Sequence, residues 1–152
     1  MTTTLALALI LHVLTGLGGV IASYAAWIGL LKKTPRIDGL QRWGVVALLS
    51  YVASWLTGGY YYVVYYGSKV KPVILAGKYS WAHTVLTEAK EHFFLFLPLL
   101  AAVLLIVLIT HRDRIGTDPK LKRPLVYLAA LATAIGTAAA VLGVFISGAY
   151  RP

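Results

Sequence analysis

The sequence predicts an all-α polytopic membrane protein in which four transmembrane helices form one up-down bundle. Of the 152 residues, 59% are hydrophobic and only 12% are charged. The mean hydropathy is +0.78, which is too apolar for an ordinary soluble domain of this size. The apolar residues also fall into four runs, each long enough to cross a hydrocarbon core, which takes roughly 20 residues of helix.

The four predicted spans make residues 1–152 a single transmembrane domain. They cover about 5–31, 43–66, 81–110 and 124–150. The first span is interpreted as a retained helix, because no positively charged segment precedes it and it is longer than the apolar core of a secretory signal. Pro72 and Gly77 predict that no long helix continues between the second and third spans. The apolar segment "VILA" in that linker is expected to cover the end of the bundle.

The basic residues predict the orientation. The net charge is +9, and nine of the fourteen Lys and Arg residues lie in the first and third linkers. They are Lys32, Lys33, Arg36, Arg42, Arg112, Arg114, Lys120, Lys122 and Arg123. The positive-inside rule places these linkers in the cytoplasm and both termini outside, in the cytoplasmic membrane of a bacterium or archaeon. Because the charges lie in loops and form no basic face, nucleic acid is not an expected partner; the lipid bilayer is.

Two histidines within the spans indicate a cofactor. The sequence has no cysteine, so His and carboxylates are the strong metal ligands it offers. His12 and His92 each lie about 20 residues before a basic linker, hence roughly 30 Å above the inner interface. In an up-down bundle the first and third helices are diagonal neighbours. The two imidazoles are therefore expected to face each other, as a bis-histidine haem requires.

Residues near the height of these histidines complete the predicted haem site. Glycines would let a flat macrocycle approach the backbone, a tyrosine lies near the same level, and lysines of the outer linker could pair with the haem propionates. These cofactor-binding candidates are Gly16, Gly19, Gly143, Tyr61, Lys69 and Lys71.

In its helix count and its one histidine pair, the chain resembles the four-helix membrane b-type cytochromes, the cytochrome b561-like group. The resemblance implies one haem b near the outer leaflet with His12 and His92 as axial ligands. It also implies electron transfer between a membrane or periplasmic donor and an acceptor such as quinone, which would make the protein a membrane oxidoreductase. The chain departs from the group in lacking a second histidine pair within the bundle, so electron transfer across the whole membrane is not implied.

Three alternatives stay open. Glu88 and His92, spaced i and i+4, could join His12 in a zinc or non-haem iron site. His83 is a further candidate ligand, although it is expected beyond the bilayer, roughly 13 Å above His92. A His–Glu pair in a membrane could also relay protons or conduct an ion. Finally, the small and polar stripes could serve only as contacts in a homo-oligomer or as an accessory subunit of a larger membrane complex.

Overall fold

The computed structural model describes residues 2–150, which are helical almost throughout and contain no strand. The α-helices are α1 (Thr3–Leu31), α2 (Ile37–Tyr61), α3 (Lys71–Ala76), α4 (Glu88–Thr110) and α5 (Pro119–Ala149), and two π-helical segments are π1 (Tyr62–Val70) and π2 (Ala82–Thr87). The all-α prediction is confirmed. Within the described residues, three helices are long and apolar enough to cross a membrane, namely α1, α5 and the combined stretch Ala82–Thr110.

The four long helices pack as a bundle in the order α1, α2, α4, α5 around its axis, with each helix contacting the next and α5 contacting α1. The expectation that the first and third spans are diagonal is therefore confirmed for α1 and α4. Gln41 of α2 donates to the carbonyl of Leu108 at 2.9 Å, and Lys122 donates to the carbonyl of Lys32 at 2.7 Å. These contacts lie at the end of the bundle that contains the loops 32–36 and 111–118, which we call the linker end. The opposite end, which we call the terminal end, contains Thr2, Tyr150 and the turn at 77–80.

Large apolar side chains cover the outside of the bundle. Leu14, Leu49, Leu99 and Val144 are between 61% and 73% exposed. An apolar surface of this extent is unfavourable in water, whereas lipid chains solvate it. The packing thus supports the integral-membrane assignment that the composition predicts.

Two helix boundaries differ from the predicted ones. α5 begins at Pro119, before the basic residues that were assigned to a linker, because Asp118 caps the helix through the amides of Lys120 and Leu121 and proline is favoured in the first turn. The second span continues as helix through π1 and α3 to Ala76 and ends at Gly77. Pro72 therefore does not end it, because Pro lies at the start of α3, where its missing amide hydrogen costs little. Ile74 of the "VILA" segment is fully buried at the terminal end.

The interior of the bundle changes along its axis. We call the half of the bundle near the linker end the linker half. Its core consists of aliphatic side chains, namely Ala26, Leu30, Leu40, Leu104, Leu108, Ile115, Leu125 and Ala129. Near the middle, Tyr51 is 1% exposed, its hydroxyl lies 3.1 Å from Ser23 Oγ, and its ring occupies the space beside Gly19. Beyond Tyr51 lies the terminal half, which contains the polar side chains described next.

Candidate functional site

His12 is fixed between α1 and α2. Its Nδ1 lies 2.8 Å from the carbonyl oxygen of Ser54 and 3.0 Å from Ser54 Oγ, and that hydroxyl donates to the His12 carbonyl at 2.9 Å. Because a carbonyl oxygen can only accept, Nδ1 carries the proton and Nε2 is left to accept one. The imidazole lies directly against Gly58, where a β-carbon would collide with it. The ring is therefore held in one orientation.

The group that faces His12 across the bundle is Phe94, not His92. The His12 and Phe94 rings lie 5.9 Å apart in an edge-to-face arrangement at 68°. His92 is exposed, and its Nδ1 lies 2.7 Å from the Glu88 carbonyl of its own helix. Residues two apart on an α-helix point to nearly opposite sides, so the inward position of Phe94 turns His92 away. The prediction that these imidazoles face each other is wrong, and the residues do not fit a haem held between them.

The glycines predicted to admit a macrocycle instead make room for side chains of the bundle. A β-carbon at Gly16 would lie 3.1 Å from Ser54 Oγ, one at Gly19 would lie 2.5 Å from the Tyr51 ring, and one at Gly143 would lie 3.1 Å from Lys90 Nζ. The remaining haem candidates lie toward the terminal end: Tyr61 is half-buried with its ring 5.6 Å from that of Tyr65, Lys69 is exposed and Lys71 is half-buried.

The metal alternative gains one contact from the structure. His83 Nε2 lies 3.9 Å from Glu88 Oε1, whereas His12 and His92 are not brought together. Within residues 2–150, no three His, Asp or Glu side chains are grouped so that they could hold a metal ion.

Two neighbouring charged residues of α4 point into the terminal half. Lys90 is half-buried, lies beside Gly143 of α5 and is within electrostatic range of His12. It makes no ion pair with a carboxylate of residues 2–150. Glu91 has its Oε1 buried without a hydrogen-bond partner in the same residues and lies within electrostatic range of Tyr62. Buried charges are normally paired, so these two groups are the unusual feature of the interior.

A hydrogen-bond network connects this region to the surface. Tyr66 OH lies 3.1 Å from His83 Nδ1 and 3.0 Å from Thr87 Oγ1. Thr87 is 5% and His83 3% exposed, while the side chain of Glu88 is 50% exposed. Tyr66 itself is buried, and its ring stacks on that of Tyr62 at 5.1 Å.

The directions of these hydrogen bonds follow from the hydroxyl proton of Thr87. Thr87 Oγ1 donates to the carbonyl of Ala82 at 3.0 Å, so it can only accept from Tyr66. Tyr66 then donates to Thr87 and accepts from His83 Nδ1. This leaves His83 Nε2 facing Glu88 Oε1 at 3.9 Å, which is beyond hydrogen-bond distance. The prediction that His83 lies beyond the bilayer stays a prediction; the structure buries its side chain within the protein, where π1 and π2 contribute the residues around it.

Comparison with known proteins identified no relative: no family model, no curated protein and no solved structure matched the chain. The fold and the site describe an all-helical protein with three helices long and apolar enough to span a membrane and with ionisable side chains in one half of its interior.

Proposed function

We propose that the protein is a membrane subunit that takes up and releases protons at one face of the membrane. The observation that carries this proposal is one oxygen of the Glu91 carboxylate, which is buried without a hydrogen-bond partner in residues 2–150 and follows the half-buried Lys90 in the chain. Ionisable residues in membrane-spanning helices are costly and generally have a function. A carboxylate that keeps one oxygen without a hydrogen bond can take up a proton with little rearrangement of its surroundings.

The entry route in this proposal starts at Glu88. Its half-exposed carboxylate collects a proton from the aqueous side and passes it to His83 Nε2, while His83 Nδ1 keeps its own proton in the hydrogen bond to Tyr66. The 3.9 Å between Glu88 and His83 requires a side-chain rotation for transfer, which the exposure of Glu88 allows. Tyr62, whose ring stacks on that of Tyr66, lies close enough to Glu91 for a side-chain hydrogen bond, and in this proposal a water molecule beside it carries the proton from His83 Nε2 to Glu91.

Exchange at one face, and not conduction across the membrane, is what the interior supports. The linker half contains eight buried aliphatic residues and offers no polar group among them. A proton would have to cross this layer without a hydrogen-bond partner, which is prohibitively costly in an apolar medium. Liposomes containing the protein and an internal pH dye should therefore show no proton flux above that of empty liposomes.

Infrared difference spectroscopy tests proton uptake directly. When the pH outside reconstituted vesicles is stepped, the C=O stretch of a protonated buried carboxyl should appear and disappear. The signal should be lost in Glu91→Gln, which keeps the side-chain shape, and retained in Glu88→Gln with slower kinetics. If the Glu91 band does not respond to external pH, or if Glu91→Gln retains it, the proposal is overturned.

The topology that accompanies this proposal is four spans with both termini outside. Its support is the position of α2, which packs between α1 and α4, and the nine basic residues at the linker end. Because the chain has no cysteine, single cysteines can report sidedness. In intact cells a membrane-impermeant maleimide should label Ser68→Cys and not Thr117→Cys, and the reverse pattern would contradict the assignment.

Electron transfer by a b-type haem stays a prediction from the sequence, as do quinone and a periplasmic protein as redox partners. The visible spectrum of the purified protein tests it. A Soret band that shifts on reduction with dithionite would establish haem binding, and His12→Ala and His92→Ala would then show which imidazole is a ligand. Elemental analysis of the same sample tests the zinc and non-haem iron alternatives.

A further inference from the structure

A groove at the linker end lies between the end of α1 and the beginning of α5. Its volume is about 1090 Å³, and it is open to the outside of the bundle. Apolar residues line its walls, among them Leu31, Leu128 and Leu131. The groove is long and apolar enough to accept hydrocarbon, and it lies at the level where the spans end and lipid head groups begin.

The cations that line this groove differ from the two arginines of the loop between α4 and α5. Arg112 is paired with Asp38 at 3.3 Å, and Arg114 with Asp118 at 2.8 Å. By contrast, the groove residues Lys120, Lys122 and Arg123 make no ion pair with a carboxylate of residues 2–150.

One of the three cations is also held in position. Lys122 is held by its 2.7 Å bond to the carbonyl of Lys32, which joins the two helices that form the groove. Lys120 and Arg123 are exposed at the same rim. Tyr127, 66% exposed, lies beside them, as aromatic residues do at a membrane interface.

We propose that the groove binds one anionic phospholipid, with its phosphate among the three cations and an acyl chain against the leucines. Basic pockets between transmembrane helices recognise anionic head groups by charge, and the hydrocarbon wall adds selectivity for a lipid over a soluble phosphate. This site is independent of the proton-exchange cluster, which lies in the other half of the bundle. The bound lipid would connect α1 to α5 at a place where few side-chain hydrogen bonds join the two helices.

Native mass spectrometry of the full chain in detergent tests the site, with dioleoylphosphatidylglycerol as the probe. The double variant Lys120→Gln/Arg123→Gln should weaken binding about 25-fold, or about fivefold for each cation removed. It leaves the structural bond of Lys122 intact. The matched control Lys69→Gln/Lys78→Gln removes two exposed cations at the terminal end and should change binding less than about twofold.

Two further measurements identify the ligand. Dioleoylphosphatidylcholine, which has the same chains and no net charge, should bind at least about tenfold more weakly, and soluble glycerol phosphate should not compete. Leu131→Trp, which fills the groove without changing its charge, should also abolish retention of the lipid. Equal binding of the two lipids, equal losses in the two double variants, competition by glycerol phosphate or full retention in Leu131→Trp would each overturn the proposal.

Discussion

The two halves of the bundle are built by the same helices and filled with different chemistry. In the linker half, the core is entirely aliphatic, and residues such as Leu104 and Leu108 are at most 1% exposed. In the terminal half, the interior contains a histidine bonded to Ser54, a lysine beside a glycine, and a carboxylate oxygen with no described partner. Because lipid offers polar groups no hydrogen bonds, only the first arrangement is explained by folding alone.

Within the terminal half, satisfied and unsatisfied groups are separated. His12, Tyr66 and Thr87 have fixed hydrogen-bond partners, so their geometry is locked. Lys90 makes no ion pair, and one carboxylate oxygen of Glu91 has no hydrogen-bond partner, among residues 2–150, so these are the groups whose charge can change at the smallest structural cost. The linker half thus contributes stability through its packed core. The terminal half combines side chains fixed by hydrogen bonds with two residues whose charge can change.

The largest expected effect is at the contact between His12 and α2. Gly58→Ala should lower the free energy of unfolding by about 3 kcal/mol, because the new methyl group collides with an imidazole that Ser54 holds in place. The neighbouring Gly59→Ala has open space at its β-carbon and should be neutral or stabilising by up to about 1 kcal/mol. Unfolding in mixed micelles measures both variants. Equal effects would show that His12 is not fixed as described.

The linker half should respond to loss of volume. Leu108→Ala should cost about 2 kcal/mol, at the low end for a buried leucine because lipid also solvates the side chain in the unfolded state. Leu99→Ala, on the same helix but 62% exposed, should change stability by less than about 0.5 kcal/mol. A Leu108→Ala cost no greater than that of Leu99→Ala would show that the aliphatic core is not tightly packed.

Much of the fold could be predicted because a membrane restricts the choices. Apolar runs of sufficient length indicate spans, and short linkers make successive helices neighbours, so the diagonal placement of α1 and α4 follows. Hydropathy locates the edge of the hydrocarbon, however, and not the end of a helix. For this reason the start of α5 at Pro119 was missed, although Asp-Pro before a basic, helix-forming segment is a recognisable start signal.

The depth of the candidate histidines along the bundle could be predicted from the sequence. The direction in which each of their side chains points could not. Counting residues places His12 and His92 at similar depths, but α4 is charged only in its first turn and is apolar on all sides from 93 to 109, so its sequence does not indicate which face is buried. Phe94 occupies the inward position, and the partners of His12 therefore could not be identified. Lys90 and Glu91 carried a usable signal, since two charges in a candidate span call for an explanation. The burial of His83 depends on π-helical turns, and no pattern in the sequence predicted these turns.

The hydrogen bonds of Ser54 provide a smaller test in the terminal half. Ser54→Ala removes the hydroxyl that bridges α2 to the His12 carbonyl and should cost about 1 kcal/mol, in the range of hydrogen bonds between transmembrane helices. Ser50 lies one turn away on α2 and makes no side-chain hydrogen bond within the described residues. Ser50→Ala should therefore cost less than about 0.5 kcal/mol. A matching cost for both would assign the effect to packing and not to the bond with His12.

The smallest expected effect on stability is at the surface of the linker end, from the ion pair between Arg114 and Asp118. The hydrogen bond from Arg114 lowers the pKa of the Asp118 carboxyl below its ordinary value of 3.8. A group with a depressed pKa stabilises the folded state above its ordinary pKa, and this contribution is lost as the pH falls through the folded value. Asp118→Asn retains the cap on α5, because Asn and Asp cap helices about equally well, and loses the charge.

The melting temperature of the unmodified protein should therefore exceed that of Asp118→Asn above pH 3.8, and the difference should shrink to zero as the pH falls. Arg114→Gln should abolish the same pH-dependent difference, since it removes the partner that lowers the pKa. The effect should also weaken at high salt, because the Arg114 side chain is exposed and the Asp118 side chain is partly exposed to solvent. A difference that grows as the pH falls would mean that the protonated carboxyl is preferred in the folded protein. The ion pair would then not stabilise the loop between α4 and α5.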